Sequence, residues 1–176
     1  MVVRTKLLGF LALVILFGWT NRVAAQVSDD VTSRIEQART MMLQMRLTDA
    51  SLLLDMPGLN PEEQGLIWFQ KGYIPLLEVL LTDREQAYDA FFTYSDAARS
   101  FLDGQPNTSW FNWLRAEVVM QRAWVWAKRG DNVRAALAFN AAYQFLDRVK
   151  KEGSSNSELQ KGLGLMHLAI GALPSR

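Results

Sequence analysis

After Gln26 the sequence is divided by turn-forming residues into segments of the length of single helices, and no other regular structure fits this division. Clusters of Pro, Gly, Asn, Asp, Ser and Thr occur at 56–61, 82–83, 103–107, 130–131 and 153–155. Between them apolar residues recur every three or four positions, and the alternation typical of strands does not persist in any segment. The sequence therefore predicts an all-α protein, with helices at about 30–45, 48–55, 61–81, 83–103, 109–129, 131–151 and 157–172.

Residues at the ends of these segments favour the same boundaries. Asn60 precedes a proline and two glutamates, Glu62 and Glu63. This order favours a helix start, because proline has no N–H that would need a partner in the first turn. The two glutamates are predicted to be solvated acids at the positive end of the helix dipole. Gly130 and Asp131 are predicted to end one helix and to cap the next.

Two further signals concern the chain on either side of residue 82. Thr82 and Glu85 have the spacing of a capping box, so Thr82 is predicted to cap the helix that follows it. Pro75 lies inside the preceding helical segment, where it removes one backbone donor. We expect it to bend or break that helix near Gly72.

The first 25 residues have the features of a secretory signal. Arg4 and Lys6 precede an apolar run at 7–19, and small residues precede Gln26. The run is too short to cross about 30 Å of hydrocarbon comfortably. We therefore expect export to the periplasm or cell envelope with cleavage near Ala25, and an uncleaved N-terminal anchor is the alternative. Residues 26–176 then form one helical domain.

Composition excludes several classes of function. The chain has 19 basic and 18 acidic residues, so it lacks the basic excess of a nucleic-acid-binding domain. It has no cysteine and one histidine, which excludes disulfides and thiolate metal sites and argues against a Ser-His-Asp triad. No second apolar stretch approaches the length of a membrane span. We expect no cofactor, no metal ion and no integral membrane segment in the mature chain.

Two weak candidates for chemistry occur near the C-terminus. Gly162 and Gly164 resemble part of a phosphate-binding loop, but neither a third spaced glycine nor a preceding strand accompanies them, so a close helix contact is the preferred interpretation. His167 lies among apolar residues and is interpreted as a partly buried histidine rather than a catalytic one. No acid–base pair can be assembled from the sequence, so we do not expect an enzyme.

A repeat pattern begins at Ala123. Small and aromatic residues follow at intervals of three, four, five, four and three positions: Ala123, Trp126, Gly130, Ala135, Phe139 and Ala142. The pattern resembles the tetratricopeptide repeat, and weaker copies include Ala38 and Ala87. The resemblance implies antiparallel helix pairs that stack as a short right-handed solenoid. In this register the two alanines Ala123 and Ala135 allow close approach of two helices.

A second resemblance extends over most of the mature chain. It rests on residues 56–61, the Tyr-Ile pair at 73–74, and the closing segments 161–167 and 170–174. The order of these features is similar to the N-terminal part of long exported tetratricopeptide-like proteins of Bacteroidota. In that group further helices follow the closing segment, whereas this chain ends at Arg176. A short paralogue, a fragment and a truncated gene are the alternatives.

The tryptophan-rich segment 109–129 supplies the candidate binding face. Trp124 and Trp126 are two residues apart and therefore point about 200° apart on a helix. The repeat register places Trp126 in the core, against Ala135 and Phe139. It places four other residues on the concave groove of the solenoid: Glu117, Met120, Trp124 and Lys128. An exposed tryptophan beside a flexible methionine suits a surface that binds a protein or peptide.

These observations favour a non-enzymatic, exported interaction scaffold that binds a peptide or a partner protein at the cell envelope. Two alternatives stay open: an enzyme, or the accessory domain of one, that acts on an envelope polymer, and a capping unit of a longer helical solenoid that binds nothing itself. In the second alternative the helix predicted at 157–172 continues the stack.

Overall fold

The structure, a computed structural model, describes residues 27–152 and Gly164. Every regular element in residues 27–152 is a helix, which confirms the all-helical prediction. These residues form α1 (Asp29–Leu43), α2 (Leu47–Leu53), α3 (Pro61–Thr82), α4 (Glu85–Asp103), α5 (Ser109–Arg129) and α6 (Asn132–Lys151). The helix ends lie within about two residues of the predicted ones. The predicted signal segment lies outside the described residues, as does the helix expected at 157–172 apart from Gly164.

The start of α3 is held by a capping box, as Asn60 predicts. The Asn60 side chain accepts a hydrogen bond from the Glu63 N–H at 2.8 Å, and the Glu63 carboxylate accepts one from the Asn60 N–H at 3.2 Å. The same carboxylate accepts a hydrogen bond from the Ser28 N–H at 3.0 Å, which joins the start of α1 to that of α3. Glu63 is consequently buried, with 8% of its surface exposed. The prediction of a solvated acid is wrong for this residue.

Glu63 should make the stability of the fold depend on pH. The hydrogen bond from the Ser28 N–H lowers the pKa of Glu63 below its ordinary value of 4.5, although burial opposes the shift. Because the folded-state pKa is the lower one, the stabilisation is present above the unfolded-state value and is lost as the pH falls through the folded-state value. We expect Glu63→Gln to lower the free energy of unfolding by about 1 kcal/mol at pH 7 and by less at about pH 3. Urea denaturation at the two pH values measures the difference, and an equal loss at both would contradict the prediction.

The junction between α3 and α4 differs from its prediction. Thr82 is the last residue of α3, and its hydroxyl donates to the Glu78 carbonyl of the same helix at 2.7 Å. Thr82 therefore does not cap α4, which begins at Glu85 without a side-chain cap. Asp83 ends α3 in the left-handed conformation, with φ of 55°. The bond to Glu78 thus replaces the predicted capping box.

Pro75 does not break α3. The helix runs without interruption from Pro61 to Thr82, and Pro75 is among its buried residues. The missing N–H of Pro75 removes only the hydrogen bond to the Lys71 carbonyl. The break expected near Gly72 is therefore absent from this helix.

The small residues of the repeat pattern are buried between α5 and α6. Gly130 ends α5 with φ of 85°, and the Asp131 side chain caps α6 by accepting from the Arg134 N–H at 3.0 Å. Both predicted roles at this turn are confirmed. Ala123 and Ala135 are fully buried, so neither position has room for a larger side chain without displacement of a neighbour.

α5 is covered by helices on more than one side. On the α3 side the rings of Trp113 and Phe69 meet with centroids 5.7 Å apart, and Gln121 donates to the Phe69 carbonyl at 3.2 Å. On the α4 side Arg122 forms an ion pair with Asp96. α6 packs along a further side of α5. This position makes α5 the floor of any cleft between the helices that flank it.

Candidate functional site

The face of α5 that was predicted to bind a partner is largely buried. Met120 is 2% exposed and Trp124 is 8% exposed. The indole of Trp124 meets the ring of Phe139 edge to face, with centroids 5.1 Å apart. The prediction that Trp124 is exposed is therefore wrong, because α6 covers the side of α5 that the repeat register assigns to the groove.

The two charged residues of the predicted face are half-buried. Glu117 lies near the middle of α5. The Lys128 ammonium group lies 3.7 Å from a carboxylate oxygen of Asp83, at the end of α3. Since Met120 and Trp124 are buried beside them, the four predicted residues do not form one open surface.

Trp126 also departs from the repeat register. It is half-buried, and its ring packs against Phe92 of α4 with centroids 4.3 Å apart. The Arg134 guanidinium, from α6, lies over the Trp126 ring at 4.7 Å from its centroid. The predicted roles of the two tryptophans are thus exchanged, with Trp124 in the core and Trp126 at an edge between α4 and α6.

A cleft between α4 and α6, with α5 as its floor, is the candidate site. Its volume is about 360 Å³, within the range of pockets that accept small ligands or the side chains of a peptide. We call it the α4–α6 groove. Three helices line it: Arg99, Leu102 and Asp103 of α4, Arg115, Val119 and Arg122 of α5, and Ala138, Ala141 and Phe145 of α6.

Positive charge exceeds negative charge along the groove. The carboxylate of Asp103 is accompanied by three guanidinium groups in the lining. A fourth guanidinium, that of Arg148, lies over the Phe145 ring at 5.4 Å from its centroid. Phe145 itself is half-buried. The groove therefore offers favourable electrostatics to an anionic group and an aromatic surface to an apolar one.

Arg115 is the buried arginine of the groove. The residue is 6% exposed, and its guanidinium lies at the end of α4. The guanidinium donates to five acceptors at the end of α4, in the following loop and on α5 itself: the carbonyls of Leu102, Gln105 and Pro106 and the side-chain oxygens of Asn107 and Asn112. Burial lowers the pKa of Arg115, nearby Asp103 opposes this shift, and Arg148 adds to it. The donors of Arg115 are thus committed to the protein, and the residue shapes the groove wall.

The other arginines are engaged to different extents. Arg122 forms an ion pair with Asp96 at 2.5 Å and lies over the Phe92 ring. Arg99 is exposed, and it forms no ion pair with a carboxylate in residues 27–152. Arg148 is also exposed and forms no ion pair with a carboxylate in residues 27–152. Within that span its guanidinium contacts the Phe145 ring. Within residues 27–152, two of the four guanidinium groups therefore have no carboxylate partner.

Beyond Arg122 the same side of α5 leads to Trp126. A more open cavity of about 560 Å³ lies there, beside the turn between α5 and α6. Its two arginines are both paired, Arg129 with Glu85 and Arg134 with Asp131. The Trp126 end is therefore closer to neutral than the Phe145 end.

The site residues predicted from the sequence do not include the arginines of the groove. The regular spacing of arginines on α5 and α6 is nevertheless visible in the sequence. Arg115, Arg122 and Arg129 are seven residues apart on α5, and Arg134 and Arg148 are fourteen apart on α6. Seven residues are close to two helical turns, so each set follows one side of its helix. Rows of arginine on consecutive helices are a sequence signal for a shared cationic cleft.

The weak candidates for chemistry near the C-terminus, Gly162 and His167, lie outside the described residues. Over 27–152 the His, Cys, Asp and Glu side chains form no group of three that could hold a metal ion. In that same span no helix combines the length and the apolar character needed to cross a membrane.

The chain was compared with protein-family models, with curated proteins and with solved structures, and none of the three comparisons found a match. The likeness to tetratricopeptide proteins therefore rests on the sequence pattern. The shape and charge of the α4–α6 groove are the features that bear on function.

Proposed function

We propose that this protein is a non-enzymatic, exported interaction scaffold that holds a peptide segment of a partner protein in the α4–α6 groove at the cell envelope. The observation that carries the proposal is the groove itself, a cleft whose lining combines apolar side chains with three arginines, two on its floor and one on its α4 wall. Arginine and aromatic residues in such concave sites supply much of the binding energy of many interfaces. Phe145 and Trp126 are half-buried, so each keeps an aromatic surface available to a partner.

The fold of this scaffold is a short right-handed stack of antiparallel helix pairs of the tetratricopeptide kind. Support comes from the burial of Ala123, Ala135 and Ala142 and from the left-handed turn at Gly130. Export is supported by the sequence of residues 1–25. Trp126 departs from the repeat pattern: its ring contacts Phe92 of α4 and lines the more open cavity beside the turn between α5 and α6.

The proposal is tested with peptides selected from a random display library of about 12-residue peptides against the purified protein. Fluorescence anisotropy then gives the affinity of each selected peptide. We expect Phe145→Ala and Trp126→Ala to weaken binding at least about tenfold, because Phe145 lines the groove and Trp126 lines the more open cavity beyond Arg122, into which a peptide of this length continues. Tyr143→Ala is the matched control. It removes an aromatic residue of α6 that is 44% exposed and lies about 200° from Phe145, so it should leave affinity unchanged.

Urea denaturation of each variant shows whether a lost affinity reflects unfolding. The proposal fails if no selected peptide depends on Phe145 or Trp126 while the variants remain folded. It also fails if Tyr143→Ala weakens binding as much as Phe145→Ala does.

A capping unit of a larger helical stack is the second candidate, and one surface favours it. Val133 and Leu137, one turn apart on α6, are 67% and 65% exposed. Exposed apolar residues at this spacing suit contact with a further helix. If Leu137→Asp abolishes association with a partner and the groove variants do not, the capping role is the better description.

A further inference from the structure

The Phe145 end of the groove carries positive charge that the described residues do not neutralise. Arg99 on α4 lines one wall, and Arg148 on α6 lies over Phe145 at the other. Neither guanidinium forms an ion pair with a carboxylate of residues 27–152. The single carboxylate in the groove lining, that of Asp103, does not balance them.

The guanidinium groups of Arg115 and Arg122 add to the positive potential of the groove, but their N–H donors are already used within the protein. The donors of Arg115 are used by carbonyl and amide oxygens around the end of α4. Arg122 is paired with Asp96. Recognition of an anion by direct hydrogen bonds therefore falls to Arg99 and Arg148, whose planar guanidinium groups match a carboxylate in a two-point geometry.

We propose that the α4–α6 groove selects an acidic peptide. Aspartate or glutamate side chains of the partner pair with Arg99 and Arg148, and an apolar side chain between them rests on Phe145 and Ala141. This inference builds on the proposed function and names the chemistry of its partner. The recess between two helices admits a single peptide segment but not a flat bilayer, and its apolar wall residues, Ala141 and Phe145 among them, offer contact that an inorganic anion does not use.

Three labelled peptides with identical apolar positions and either glutamate, glutamine or lysine at the other positions test the proposal. We expect the glutamate peptide to bind at least about tenfold more tightly than the glutamine peptide at about 50 mM salt, and the lysine peptide not to bind. The preference should weaken several-fold at about 300 mM salt, because exposed charges are screened.

The double variant R99E/R148E should abolish the preference for the glutamate peptide and allow the lysine peptide to bind. R34E/R46E is the matched control. It makes the same change in net charge at two arginines of the α1–α2 region, the half-buried Arg34 and the exposed Arg46, which pair with Asp30 and Asp49, and it should leave the preference intact. Inorganic phosphate and vesicles of phosphatidylglycerol and phosphatidylcholine are tested with the same variants.

The outcomes separate the acidic-peptide inference from the proposed function. Equal binding of the glutamate and glutamine peptides, with loss on Phe145→Ala, would overturn the acidic preference and leave the scaffold proposal in place. Equal loss of preference in R99E/R148E and R34E/R46E would also overturn it, because the effect would then follow net charge. Binding of vesicles or phosphate that depends on Arg99 and Arg148, without binding of the glutamate peptide, would replace the peptide with a different anion. If no peptide binds through the groove, the proposed function itself fails.

Discussion

Replacing Trp124 with alanine should lower the free energy of unfolding by about 3–5 kcal/mol, because it empties a large volume of the core beside Phe139. Trp126→Ala should cost less, about 1–2 kcal/mol. It removes a half-buried ring whose main contacts are a stacked Phe92 and the Arg134 guanidinium. Urea denaturation of the two variants under the same conditions measures the difference. Equal losses, or a larger loss for Trp126→Ala, would contradict the assignment of Trp124 to the core.

Trp124→Phe provides a control for the volume of the ring. The buried indole N–H of Trp124 has no hydrogen-bond partner among residues 27–152, so phenylalanine keeps an aromatic contact with Phe139 and removes a donor that these residues leave unsatisfied. We expect a loss smaller than that of Trp124→Ala by at least about 2 kcal/mol. A loss as large as that of the alanine variant would mean that the edge-to-face contact depends on the full indole.

The helix boundaries could be predicted because residues within one turn decide them. Asn60 and Asp131 cap through backbone groups three positions away, and Gly130 needs only its own backbone freedom. Thr82 shows the limit of such local rules. Its hydroxyl can bond forwards to the next helix or backwards to the Glu78 carbonyl, and the sequence does not decide between the two.

The orientation of α5 could not be predicted, since its sequence is apolar around most of its circumference. Residues 111–116 are all buried in succession, so no polar stripe marks a solvent face. The decision between Trp124 and Trp126 depends on Phe139 and Phe92, which belong to other helices. A repeat register based on a single pattern carries no information on such long-range contacts, and here it exchanged the two rings.

The α4–α6 groove could not be predicted from the sequence for a related reason. Charged residues are usually interpreted as solvated, and Arg115 and Arg122 lie within a helix whose tryptophans dominate the pattern. Their seven-residue spacing places them on one side of α5, but that this side faces a cleft becomes clear only when α4 and α6 are placed on either side. The acceptors of Arg115 lie in the loop between α4 and α5, and the sequence of that loop gives no sign that it surrounds a guanidinium.

Arg115→Ala is expected to lower the free energy of unfolding by about 3–4 kcal/mol, because it removes hydrogen bonds from a buried charged donor to five acceptors, of which those on Leu102 and Asn112 are buried. The two shortest of these bonds, to the carbonyls of Leu102 and Gln105, are both 2.6 Å long. Without the guanidinium the Gln105 carbonyl loses this charged donor, and the Leu102 carbonyl keeps only its backbone N–H donors at the end of α4. Hydrogen exchange should show reduced protection in residues 102–112, next to the groove wall that Arg115 supports.

Two variants on the same helix distinguish hydrogen bonding from charge. Arg115→Lys keeps the positive charge but cannot reach the same set of acceptors with one ammonium group, so we expect it to lose about 2 kcal/mol. Arg122→Ala removes an arginine that pairs with a largely exposed Asp96, and it should cost less than about 1 kcal/mol. Equal and small losses for Arg115→Ala and Arg122→Ala in urea denaturation would mean that the Arg115 network does not support the end of α4. Full stability of Arg115→Lys would mean that the charge, rather than the planar arrangement of donors, is what this wall of the groove requires.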